Sequence, residues 1–221
     1  MKRLVGIILI ISISLSLLVL SIETSSYNKT YYINSYEKYN IVQRTGESLE
    51  HLSTITDDII LYLKGDGGDE LLSPYFNERE VLHMRDVQNL FNLARVIKYS
   101  GLIIAMMILA YFLYKKEFLF IGKTLLYGPI MTYILLVVLG LLASTDFNKY
   151  FTYFHLIFFT NDLWLLNPKT DLMIQMLPEP FFMGMGIRIM LSFFIYLSIL
   201  QVVGYLYKRK GKGYGKTNKE T

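Results

Sequence analysis

LVGIILIISISLSLLVLSI, residues 4–22, decides the fold: an apolar run with no charge, placed directly after Lys2 and Arg3. A bilayer core of about 30 Å is crossed by about 20 apolar residues in a helix, because lipid offers backbone N–H and C=O groups no partner and the helix satisfies them internally. Three further stretches meet that requirement. Residues 97–114 carry one charge, Lys98, near their start and end at Lys115 and Lys116. Residues 124–143 are uncharged and contain Gly128-Pro129, where a kink or loosened turn is expected. Residues 187–207 are apolar except for Arg188 near the start and Gln201 near the end, and stop at Lys208-Arg209-Lys210. The first run is longer than the roughly 7–15 residues of a signal-peptide core and no A-x-A cleavage site follows it, so an uncleaved anchor is expected.

Composition agrees with these runs. The chain has 221 residues, 53% of them hydrophobic and only 18% charged, against roughly 25% charged in a soluble domain. Mean hydropathy is +0.37. There is no cysteine, which excludes a disulfide scaffold, an acyl-cysteine intermediate, an iron–sulfur cluster and a thiolate zinc site. The net charge of +4 comes from the basic tail at 208–219, which reads as a topology signal touching anionic lipid rather than a nucleic-acid patch. Lysine and arginine in short flanking loops set orientation. Lys2, Arg3, Lys115, Lys116, Lys123 and the tail fall on one side, whereas the segment between the third and fourth spans has only Lys149 and Lys169. The expected fold is an all-α membrane protein: four transmembrane helices, a mainly helical extracytoplasmic cap, and both termini cytoplasmic. The expected segments are 1–22 (N-terminus and first span), 23–96 (outside), 97–143 (second and third spans), 144–186 (outside, interfacial) and 187–221 (fourth span and tail).

Within the first outside segment, residues 27–40 are rich in tyrosine and asparagine, which suits an interfacial or packed surface stretch. Leu49, Leu52, Ile55, Ile59 and Leu63 recur at helical spacing, and the Lys64-Gly-Asp-Gly-Gly68 run stops that helix as a turn. Asn77 and Glu80 have the spacing of a capping box, which starts a helix that runs on into the second span. The second outside segment is aromatic from Tyr150 to Phe159 and then reads as an amphipathic or re-entrant piece at the outer membrane surface.

The residues that can carry chemistry are few. His83 shares a helix face with Glu80, one turn before it, and Asp86, one turn after. Glu80 has a purely structural explanation in the capping box. His155 lies in the aromatic stretch, with Asn161 and Asp162 two turns downstream. His51 reads as a surface residue. Arg188 sits at the edge of an apolar span, so it either snorkels to the surface, pairs with Asp162 or Glu179, or binds a lipid headgroup or a developing oxyanion. No zinc pair of the H-E-x-x-H kind, no nucleophile elbow and no glycine-rich phosphate loop occurs. One E-x-x-H match, at Glu80 and His83, is half of a di-iron pattern. Histidine acid–base chemistry at the outer face is the chemistry left open. A metal-dependent membrane hydrolase built on His83, His155 and nearby carboxylates, and a non-enzymatic anchor or sensor, are the alternatives.

Three stretches carry a resemblance: Glu80-x-x-His-Met-x-Asp-Val87, then Phe154-His-x-x-Phe-Phe-x-Asn-Asp-x-Trp-x-Leu-Asn-Pro-x-Thr-Asp171, and Met176-Leu-Pro-Glu-x-Phe-Phe182. With the four-span layout they resemble the lipoprotein intramolecular transacylases (Lit), a family of small membrane proteins of low-GC Gram-positive bacteria. The resemblance implies transfer of the sn-2 acyl chain of a diacylglyceryl-cysteine to the α-amino group of the same cysteine, giving an N-acyl lyso-form lipoprotein. It implies no cofactor and no metal. The expected partners are the lipidated substrate and membrane lipid, without nucleic acid, and the expected state is a monomer. On this resemblance His155 is assigned as base on the amine and His83 as partner acid or oxyanion donor, an assignment that can be reversed. Glu80, Asp86, Asn161 or Asp162 would support the rings, and Arg188 would hold a carbonyl oxygen.

Overall fold

The computed structural model describes residues 2–217, with side chains as far as Gly213, so the end of the basic tail at Lys219 lies outside the described residues. The described residues form ten α-helices: α1 (Lys2–Ser26), α2 (Lys29–Lys38), α3 (Ile41–Thr45), α4 (Leu49–Lys64), α5 (Glu78–Tyr114), α6 (Phe118–Tyr127), α7 (Pro129–Thr145), α8 (Phe147–Phe158), α9 (Leu172–Met176) and α10 (Glu179–Thr217), with a 3-10 turn at Asp69–Leu71. Four stretches are long and apolar enough to cross a membrane: α1, α5, α6 with α7, and α10 up to Gly213. The chain is an all-helical, membrane-integral protein.

At 37 residues, α5 is about 55 Å long, well beyond a hydrocarbon core. Its apolar part begins near Ile97; the part before it bears Glu78, Arg79, Glu80, Arg85 and Asp86 and lies outside the membrane-spanning stretch. Helix α10 likewise starts earlier than its apolar run, at Glu179, with Pro180 in the first turn where its missing N–H costs nothing. The break between α6 and α7 falls at Gly128-Pro129, and Gly128 stays in the right-handed helical region.

The chain divides into two compact units. The first comprises Met1–Ser21, Arg95–Leu141 and Ile189–Thr221. Its core gathers Leu9, Ile13, Ala105, Phe112, Ile121 and Leu125. Lipid tails are as apolar as leucine, so helices here are held by close backbone approach and by polar groups that find each other. A Cβ on Gly101 would stand 2.6 Å from Ser16 Oγ, and one on Gly122 would stand 2.1 Å from the Lys208 backbone nitrogen. Ser16 donates to the Lys98 carbonyl at 2.9 Å. Gln201 is satisfied on both sides of its amide, donating to the Leu126 carbonyl at 2.8 Å and accepting from the Tyr133 hydroxyl at 3.1 Å.

The second unit comprises Ile22–Ala94 and Leu142–Arg188. Residues 29–38, too polar for a recognisable apolar stripe, form helix α2, which packs against α3 and α4. Its tyrosines are the reason: Tyr32 and Tyr36 are buried beside the apolar face of α4 (Leu52, Ile55, Ile59), and each buried ring brings a hydroxyl that must be paired. Tyr32 donates to the Ser26 carbonyl at 3.0 Å, and the Tyr36 hydroxyl meets Thr56 Oγ1 at 2.8 Å. Tyr31 reaches the Phe181 carbonyl at 2.6 Å. Ser48 caps α4 and Gly65, in the left-handed region at φ 83°, ends it. All the side chains discussed next belong to this unit.

Candidate active site

Helix α5 starts where its sequence says it should. The Glu80 N–H donates to Asn77 Oδ1 at 3.1 Å, and the Asn77 N–H donates to Glu80 Oε2 at 2.8 Å, the reciprocal pair of a capping box. Glu80 is almost fully buried, and its other oxygen accepts the Met173 N–H of α9 at 2.7 Å. Burial raises the Glu80 pKa, while the two backbone N–H donors oppose the rise. The same corner is tied a second time: Asn77 Nδ2 donates to Asp171 Oδ1 at 3.1 Å, and Asp171 Oδ2 accepts the Asn167 N–H at 2.7 Å. That N–H donor, with help from Thr170 and Asn77, holds the Asp171 carboxyl below the ordinary range. The segment 167–173, the loop and the start of α9, is thereby fixed to the first turn of α5.

One turn beyond Glu80 stands His83, and the facing ring is His155 of α8, with ring centroids 6.1 Å apart and planes inclined by 35°. Both are buried. His155 Nδ1 lies 2.7 Å from the Phe151 carbonyl four residues back. A carbonyl only accepts, so Nδ1 carries the proton and Nε2 is left as the basic nitrogen. Trp164 stacks on this ring at 4.7 Å, while Phe151 meets it edge-on at 4.5 Å. Among the described residues, the buried His83 Nδ1 has no hydrogen-bond partner. Phe159 is edge-on to His83 at 5.5 Å and 5.6 Å from His155. Burial lowers the pKa of both rings. For His83 the neighbouring imidazole adds to the drop and Asp86 opposes it; for His155 the hydrogen bond to Phe151 opposes it. At neutral pH both rings are neutral, one nitrogen of each being able to take up a proton.

The remaining residues singled out in the sequence divide into those near this pair and those occupied elsewhere. Asp86 Oδ2 accepts from Asn161 Nδ2 at 2.8 Å, and the Asn161 carbonyl accepts the Trp164 indole N–H at 3.0 Å, so Asn161 links α5 to the ring that covers His155. Asn161 and Asp162 are not two helical turns beyond His155: α8 ends at Phe158, and both residues lie in the loop that follows. Asp162 pairs with Arg79, whose guanidinium contacts both its backbone carbonyl and its carboxylate, the latter at 3.3 Å. Glu179 accepts from Asn148 at 3.0 Å. The partner of Asp162 is therefore Arg79 instead of Arg188, and Arg188 stands over the Tyr31 ring at 5.0 Å. Neither Glu80 nor Asp162 hydrogen-bonds to an imidazole; the orientation of His155 comes from the Phe151 carbonyl. His51 is exposed and bonds Glu47 at 2.6 Å. Arg79 was not singled out in the sequence, and Asp171 only as the end of a resembling stretch, since their partners lie more than eighty residues away or across a loop. Among the described residues, no three His, Cys, Asp or Glu side chains converge to hold a metal ion.

Four apolar helices with a buried, neutral histidine pair describe an integral membrane enzyme equipped for acid–base chemistry. Residues 7–182 match the family described as lipoprotein intramolecular transacylase Lit. The structure of the membrane-integral lipoprotein intramolecular transacylase Lit from Bacillus cereus is 32% identical with a TM-score of 0.83, over 97% of this chain and 98% of that one. A variant of that protein with a histidine replaced by arginine aligns at 30% identity and TM-score 0.80, over 97% of this chain and 95% of that one. One with a histidine replaced by alanine aligns at 28% and 0.75, over 100% and 96%. No curated protein sequence matches the chain. The chain belongs to the lipoprotein intramolecular transacylase family.

Replacing Glu80 with alanine leaves the buried Met173 N–H without its acceptor, a cost of about 1–3 kcal/mol, and removes the half-buried capping bond from the Asn77 N–H. A lowered unfolding midpoint in detergent, with Glu78→Ala as the exposed control, is the expected result. For the imidazoles, ¹⁵N NMR of histidine-labelled protein should show His155 as the Nδ1–H tautomer, and both His83 and His155 titrating below 6.5. An unfolded histidine takes up its proton near pH 6.5 while these buried rings wait for lower pH, so the folded state loses stability as pH falls below 6.5.

Proposed function

We propose that His83 and His155 catalyse transfer of the sn-2 acyl chain of a diacylglyceryl-cysteine to the α-amino group of the same cysteine, on the extracytoplasmic side of the cell membrane. The observation that carries this is the facing of the two buried rings at 6.1 Å, one with its Nδ1–H tied to a carbonyl and its Nε2 basic. Ester aminolysis needs a neutral amine and a protonated leaving oxygen, and an imidazole near neutrality serves both needs. His155 Nε2 takes a proton from the substrate ammonium. The freed amine attacks the sn-2 ester carbonyl, the new C–N bond forms, and the C–O bond to glycerol breaks. Of the three ammonium protons, the amide keeps one, the glycerol alkoxide receives one through the imidazole to become a hydroxyl, and one passes to solvent. His83 faces the developing oxyanion as its hydrogen-bond donor. Donor and acceptor are on one molecule, so proximity supplies a large part of the rate and no activated acyl carrier is required.

Two features support the setting. Tyr153, Phe154, Leu156, Ile157 and Phe158 of α8 are exposed on the helix that buries His155, an apolar face suited to acyl chains and the membrane surface. The concentration of lysine and arginine at 2–3, 115–123 and 208–219 supports a cytoplasmic position for those stretches and an outward-facing site. The protein is proposed to act as a monomer among lipids, without cofactor. Arg188, over Tyr31 near the start of α10, is proposed as a lipid headgroup contact.

Mass spectrometry of the N-terminal lipopeptide of a lipoprotein, from cells lacking any other N-acylating enzyme, tests the assignment. The intact chain should yield N-acyl, S-monoacylglyceryl cysteine. His83→Ala and His155→Ala, expressed to the same level, should each lower that product by about 10²–10⁴-fold, the range of general acid–base catalysis. A cysteine that stays diacylated with a free amine in the presence of the intact chain overturns the proposal.

A further inference from the structure

A cavity of about 250 Å³ adjoins the histidine pair in the second unit, lined by Asp86, Asn89, Leu90, Leu93, Phe158, Phe159, Thr160 and Asn161. Phe159 belongs to both places: it forms part of the cavity wall and packs its ring 5.5 Å from His83 and 5.6 Å from His155. The lining is two-sided in character. Leu90, Leu93, Phe158 and Phe159 are apolar, Asn89, Thr160 and Asn161 are neutral polar groups, and Asp86 is the one charged residue among the eight. Its Oδ2 is engaged by Asn161 Nδ2 at 2.8 Å, and among the described residues no donor reaches Oδ1. Asp86 also acts electrostatically on His83, one turn before it on α5.

The chemistry of the reaction gives such a carboxylate a task. An α-amino group has an ordinary pKa of about 7.7–8.0, so the substrate arrives at neutral pH chiefly as an ammonium ion. Bringing that ion into an apolar site beside two neutral imidazoles strips its water, and without a counter-charge the cost is prohibitive. We propose that Asp86 is the anchor for the substrate's α-ammonium, holding it in this cavity beside the histidines while the apolar wall takes the methylene groups of the thioether and glycerol. The inference rests on the transacylase function proposed above and adds a binding residue to it. It also assigns the residue to one side of the kinetics. The nitrogen regains positive charge as the C–N bond forms, so the carboxylate stabilises the bound ammonium and the transition state to a similar extent. Asp86 therefore contributes to KM and not to kcat.

The test uses the full-length protein in detergent with two non-transferable ligands, ether-linked S-dialkylglyceryl cysteine peptides that differ only in having an α-amino group or a hydrogen in its place. Calorimetric titration should show the intact chain binding the amine-bearing ligand about tenfold to a hundredfold more tightly, the range of a hydrogen bond to a charged group. Asp86→Asn, which retains an oxygen for Asn161, should bring the two ligands to nearly equal affinity. With the ester substrate it should raise KM by a similar factor and leave kcat within about twofold. Asn161→Ala removes the same hydrogen bond but keeps the carboxylate, and should preserve the preference for the amine. An intact chain that binds both ligands equally overturns the inference, as does Asp86→Asn with its preference unchanged. Loss of the preference in Asn161→Ala as large as in Asp86→Asn makes Asp86 a structural residue and likewise overturns it. Any of these results beside normal N-acyl product leaves the transacylase function standing; absence of that product in the intact chain sinks both.

Discussion

The corner that carries His83 depends on one buried carboxylate. Glu80 spends one oxygen on the Asn77 N–H and the other on the Met173 N–H, so a single side chain both starts α5 and fastens the first turn of α9 to it. A buried acid whose oxygens accept two backbone N–H groups costs far less than one without partners, which is why burial of Glu80 is tolerated. The consequence is positional. Fixing the first turn of α5 fixes where its second turn points, and His83 lies on that turn. Asp171 repeats the tie through Asn77, so the segment 167–173 has two anchors at the same corner.

The two histidines are held by different means. His155 is oriented by its own helix, through the Phe151 carbonyl, and clamped by the Trp164 face; His83 is held by packing, with a ring nitrogen unspent. That asymmetry leaves two chemically similar residues in different states, one with its Nδ1–H spent and Nε2 basic, the other with Nδ1 unpaired. Phe159 packs against both rings, and their burial keeps the imidazoles neutral.

Much of the architecture was legible in the sequence because lipid permits so few solutions. Long apolar runs are helices there by necessity, the Asn77–Glu80 spacing located the start of α5, and the apolar spacing from Leu49 to Leu63 with the glycines after Lys64 located α4. The aromatic stretch around His155 read as an interfacial piece and said neither that the ring is buried nor what holds it. What local patterns did not carry is contact over long sequence separation. The Arg79–Asp162 pair joins residues 83 positions apart, the Glu80–Met173 bond joins residues 93 apart, and neither leaves a periodic trace. The tyrosine-rich segment 27–40 was opaque for another reason: its helix has no apolar stripe, and the tyrosine rings that bury it also carry the polar groups that make it look like a surface. The end of α8 at Phe158, which moves Asn161 and Asp162 into a loop, has no glycine or proline to announce it.

The central claim, that acyl donor and acceptor are one molecule, is tested most directly by a crossover measurement. Two diacylglyceryl-cysteine peptides of different mass, one bearing a deuterated sn-2 chain, are mixed with the purified chain and their products read by mass spectrometry. Intramolecular transfer predicts that every deuterated amide appears on the peptide that brought the deuterated ester. Label distributed over both peptides would contradict it, and with it the assignment of the two histidines to a single bound substrate.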